Sequence, residues 1–202
     1  MIAALATLAW TLPASGAGAA AGGCAPAGAR VLAAAGGARL YVTGSALYGC
    51  LAGGRRTRLG GAPSGSRLGA TRVALYAVTP RYAGIDTLRM GVDTLASSVS
   101  IVDLRSGATL ASAPASTPEN RAESFQSASA LVLAPDGTLA WIGSRSAVGA
   151  FAPIREVHTL DAAGAERMLA SGTAIAPHSL ALSGGTLRWT QDGHARHAPL
   201  RP

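Results

Sequence analysis

Residues 130–143 read ALVLAPDGTLAWIG, and the rest of the chain is best understood from them. The apolar run Ala130 to Ala134 meets the turn Pro135-Asp136-Gly137, and Thr138 to Gly143 leaves it, which predicts a β-hairpin with strong Asp-Gly chemistry. A third strand, Arg155 to Leu160, passes through Asp161-Ala162-Ala163-Gly164 into a fourth, Ala165 to Leu169. Four antiparallel strands in a row make one meander sheet.

The unit recurs. Ser179 to Leu182, the turn Ser183-Gly184-Gly185 and Thr186 to Thr190 match the first hairpin, and both copies share G-T-L-x-W. Trp141 and Trp189 stand at a separation typical of blade-length repeats. Matched positions point to two structural strand residues rather than two ligand-stacking rings. Weaker copies precede them. One comprises Val73 to Val78, Ser98 to Leu104, the turn Arg105-Ser106-Gly107 and Ala108 to Leu110; the other comprises Arg39 to Val42, Ala46 to Cys50 and Thr57 to Leu59. Period-two alternation dominates, so the expected fold is all-β, with about four antiparallel four-strand meander repeats forming a β-propeller or partial propeller.

Segments such as VSIVDLRSGATL (99–110) and REVHTLDAAGAERML (155–169) resemble the strand pairs of TolB-like and WD-type β-propellers, in which a strand ending in Asp precedes a polar, Gly-containing turn. The chain also resembles exported repeat proteins of high-GC actinobacteria, through Tyr48 to Cys50, Gly91 to Thr94 and Glu123 to Ser127. The resemblance implies architecture and export; it supplies no catalytic residues.

The address is read from the first residues. Ile2 to Leu12 is an apolar run of signal-peptide length ended by Pro13, and Ala17-Gly18-Ala19 and Ala19-Ala20-Ala21 both suit a signal peptidase. Residues 1–21 are therefore expected to be a removed leader and 22–202 the β-repeat domain, secreted or held at the cell envelope. The run lacks a positive n-region, and no later segment reaches membrane-spanning length. Cys24 and Cys50 read as one disulfide in an oxidising compartment. The alternative is a lipoprotein with Cys24 as its lipidated first residue, although Ala21-Gly22-Gly23 lacks the usual Leu before it.

Charge and composition exclude several function classes. Charged residues make up 13%, about half the usual share, and 26 glycines favour strands and turns over solvated helices. All 17 basic residues are Arg, giving a net charge of +7. They are scattered from Arg30 to Arg201 and cluster only at Arg55, Arg56 and Arg58 without an interleaved aromatic, which reads as solvated strand edges and not as a nucleic-acid partner.

Two insertions, Thr79 to Ala96 and Ala113 to Ser129, break the repeat pattern and are expected to be loops carrying any binding face. Asp86, Asp93, Glu119, Glu123 and Phe125 are their candidate binding residues. Asp86 and Asp93 lack the D-x-D-x-D pattern of a Ca²⁺ loop, and His194 and His197, three apart in a strand, point to opposite faces; no metal or cofactor is expected. There is no G-x-S-x-G elbow and no C-x-x-C pair. The expectation is a non-catalytic exported scaffold binding an envelope or extracellular ligand or protein. The alternative is a secreted or surface hydrolase, saccharide-directed, with its acids in the insertions.

Overall fold

The computed structural model describes residues 24–63, 71–118, 124–147 and 151–200. The expected leader and residues Glu119 and Glu123 lie outside them. Every regular element among the described residues is a strand. No helix there is long and apolar enough to cross a membrane.

The strands follow one another as four antiparallel meanders. The first is β1 (Arg30–Ala35), β2 (Ala38–Thr43), β3 (Ala46–Leu51) and β4 (Arg56–Gly61). The second is β5 (Thr71–Val78), β6 (Tyr82–Met90), β7 (Leu95–Asp103) and β8 (Ala108–Pro114). The third is β9 (Ser124–Leu133), β10 (Leu139–Ala147), β11 (Ile154–Leu160) and β12 (Glu166–Gly172). The fourth has three strands, β13 (Ala181–Ser183), β14 (Thr186–Gln191) and β15 (His194–Pro199), extended by a bridge between Ile175 and Gln191. A parallel pairing of Leu95 with Phe125 joins the second and third meanders into one eight-stranded sheet.

Period-two alternation gives each interior meander two apolar faces. The first core packs Leu40, Leu47 and Leu59 of the first meander on Val73, Ile85 and Val102 of the second. The opposite face of the second, with Tyr82, Val99 and Ile101, packs on Leu139, Trp141 and Leu160 of the third. Ala140, Ile142 and Val157, on the far side of the third, pack on Leu187, Trp189 and Leu200. The cores thus join neighbours in chain order, and none among the described residues joins the fourth meander to the first. The two tryptophans fill equivalent places, each facing the meander before its own.

The hairpin that opened the sequence argument is present, with Gly137 at φ 89° in the Pro135-Asp136-Gly137 turn, a conformation that favours glycine. The first insertion is not a loop. Tyr82 to Met90 forms the central strand β6, and β7 begins at Leu95. The second is absorbed at its two ends, since β8 runs to Pro114 and β9 starts at Ser124.

A disulfide between Cys24 and Cys50 ties the segment before β1 to β3, with a Cα–Cα distance of 5.9 Å. Both sulfurs are thus engaged with each other, as the disulfide reading expects.

Candidate functional site

Two polar constellations stand out, one buried and one open. The buried one begins at Gly143 on β10. A Cβ at that position would collide with the carbonyl oxygen of Ala115, so the absence of a side chain is what lets the segment after β8 cross the third meander. Three groups hold it down. Trp141 Nε1 donates to Ala115 O at 2.7 Å, Ala115 N donates to Ser97 O at 2.9 Å, and Thr117 N donates to Glu156 Oε2 at 2.8 Å.

Glu156 is 1% exposed, and its other contacts are Arg145 Nε at 3.0 Å and His158 Nε2 at 3.1 Å. Burial pushes its carboxyl up, but the Thr117 amide, His158 and Arg145 together overcome burial and hold it below the usual carboxylate range. His158 stacks on Trp141 with ring centroids 5.1 Å apart. Its Nδ1 lies 2.9 Å from Glu166 Oε1, close in charge but outside hydrogen-bonding alignment. The Glu156 carboxylate is fully engaged by the strap and its neighbours, and the network's reach to solvent is through Glu166 and Arg145.

The open constellation is a cleft of about 510 Å³ at one end of the third meander. The β9–β10 turn contributes Asp136 and Thr138, the β11–β12 turn contributes Asp161, and the paired strand residues Thr159 and Arg167 form a wall, with Leu200 after β15. Each aspartate shapes its own turn. Asp136 Oδ1 accepts from Thr138 N at 2.8 Å, and Asp161 Oδ1 accepts from Ala163 N and Ala165 N, both at 2.9 Å. Thr138 is 3% exposed, and its Oγ1 has no hydrogen-bond partner; Arg167 Nη1 is buried and equally unpartnered. Leaving such groups unpaired costs about 1–3 kcal/mol each, and both atoms are shut off from solvent behind the cleft wall. Carboxylates and a guanidinium bordering one cleft suit a small, hydroxyl-bearing molecule.

The insertion residues do not assemble a site. Asp86 is fully buried in β6, where it accepts a hydrogen bond from Ser97 Oγ, so its reading as a loop acid is corrected. Desolvation raises its pKa from 3.8 to about 6, against the opposing Ser97 hydrogen bond. Asp93 is exposed between β6 and β7. Phe125, 38% exposed, lies in β9 beside Leu95. None of these three lines the cleft. Its aspartates were legible only as turn residues; the available signal was that both turns close hairpins at the same end of one meander. Among the described residues no group of three His, Cys, Asp or Glu is placed to hold a metal ion. No known protein family and no curated protein matches the chain.

Proposed function

We propose that the chain is an exported, non-catalytic β-repeat protein, a propeller-like stack of blades that serves as a binding scaffold at the cell envelope or outside the cell. The observation that carries this reading is the cleft, which gathers Asp136, Asp161 and Arg167 at one end of the third meander. The disulfide supports an oxidising compartment. The test is titration of isotope-labelled protein with a panel of mono- and disaccharides, followed by amide shifts. Saturable shifts at Thr138, Asp161, Ala163 and Arg167, weakened at least tenfold in Thr138→Ala and Arg167→Gln, are expected. Shifts located elsewhere, or indifferent to both substitutions, would remove the cleft from the argument.

A second reading has one observation in its favour. Asp136 and Asp161 line the same cleft, as a two-carboxylate saccharide hydrolase requires. Release of nitrophenol from aryl glycosides, abolished by Asp136→Asn or Asp161→Asn, would replace the binding reading with this one.

A further inference from the structure

All ten acidic residues lie at or beyond Asp86, whereas eight of the 17 arginines precede it. The first 85 residues therefore carry a formal charge of +8 and the remainder −1. The first meander concentrates this excess, because residues 24–63 contain Arg30, Arg39, Arg55, Arg56 and Arg58 and no carboxylate.

Strand register sorts these arginines by face. Arg39 pairs with Cys50 and Cys50 with Arg56, while Tyr41 pairs with Tyr48 and Tyr48 with Arg58. Cross-strand partners share a face, so Arg39, Arg56 and Arg58 stand together on the side opposite Leu40 and Leu47, which pack on the second meander. At ordinary strand spacings the three backbone positions fall within about 10 Å across the strands and about 7 Å along them. No carboxylate among the described residues pairs with them. The face is also stiffened. Tyr41 and Tyr48 stack at 5.7 Å, the Arg56 guanidinium lies 5.6 Å over Tyr48, and the disulfide anchors Cys50 in the same row.

We propose that the sheet face bearing Arg39, Arg56 and Arg58 docks an acidic polysaccharide. Charge complementarity identifies a polyanion, and three guanidinium-bearing positions spread over about 10 Å suit an extended chain rather than a single small anion. Nucleic acid fits less well. Tyr41 is fully buried and Tyr48 is already engaged by Tyr41 and Arg56, so among the described residues this face offers no free ring for a base to stack on, and a flat sheet enters no groove. A lipid surface would call for apolar anchors, and Val31, 46% exposed, is the large apolar side chain available beside Tyr41 on this side. The surface belongs to the first meander and the cleft to the third and the C-terminal end, so either one stands if the other fails.

The test is binding of the full protein to polygalacturonate at 20 mM and 200 mM NaCl. Arg39→Gln/Arg56→Gln/Arg58→Gln is expected to weaken binding at least tenfold at low salt and to remove most of its salt dependence. Arg89→Gln/Arg188→Gln/Arg196→Gln, with the same loss of charge elsewhere, should stay within twofold. Arg58→Gln alone, at an exposed position, should weaken binding two- to threefold and covers the case in which the triple variant does not fold. Equal weakening by both triple variants would reduce the effect to net charge and overturn the site. Tighter binding of duplex DNA at equal charge concentration, binding of phosphatidylglycerol vesicles without polygalacturonate, or no binding of the wild-type chain would each overturn it as well.

Discussion

Asp86 shows how one residue escapes a sequence reading. Flanked by Gly84 and echoed by Gly91-Val92-Asp93-Thr94, it resembles a turn acid, yet Gly84 is present for another reason. A Cβ there would press into Leu139, so this glycine marks close packing between meanders, not a bend. The buried carboxyl has a consequence for stability. Its folded-state pKa is about 6, above its ordinary 3.8, so the folded protein holds the proton more tightly than the unfolded chain. Its contribution is full below about pH 4 and is lost as pH rises through 6, a difference of about 3 kcal/mol by pH 7. Asp86→Asn, which mimics the protonated form, should abolish that loss. Urea unfolding of both proteins at pH 4 and pH 7 checks it: equal pH dependence in the two would mean that Asp86 does not titrate in this range.

At the scale of elements, β10, β11 and β12 lie close to where turn chemistry and alternation put them, because Asp-Gly and Asp-x-x-Gly turns leave little freedom in register. Three strands were illegible. β1 is RVLAAA, with too little contrast between faces; β6 is interrupted by Gly84 and Asp86; β15, HARHAP, is polar on both sides and exposed along most of its length. The strap was beyond reach altogether, since it depends on a contact between Ala115 and Gly143 that alternation does not encode. It makes β10 sensitive in a particular way. Gly143→Ala should destabilise the protein by about 3 kcal/mol or more, because the new methyl meets backbone, which cannot rotate away. Trp141→Phe should lose about 1–3 kcal/mol through the unpaired Ala115 carbonyl and the space vacated by the indole. Denaturant midpoints order the two, and a neutral Gly143→Ala would contradict the strap.

For the whole molecule, the count of about four repeats was legible from turn spacing and the shared G-T-L-x-W, whereas the sidedness of the charge depends on strand register, which turn spacing alone does not give. It is visible as soon as Arg39, Arg56 and Arg58 are assigned to one side of a sheet. The disulfide spans 26 residues and lies wholly within the first meander and its lead-in. Loop-closure entropy puts its contribution at about 3–4 kcal/mol. Cys24→Ser/Cys50→Ser should lower the denaturant midpoint accordingly, with amide exchange accelerating most in β1 to β4; uniform acceleration through β15 would show that the four meanders unfold as one.

Among the described residues the cores join neighbours in chain order, which sets an order of events for a chain that emerges amino end first. Cys24 and Cys50 are both released early, so their bond can close while most of the chain is still held back. The sheet around them then waits for Val73, Ile85 and Val102, which complete its core among the described residues, and each later sheet is received by a surface already in place. Assembly of this kind grows by accretion, each meander adding to the one before it.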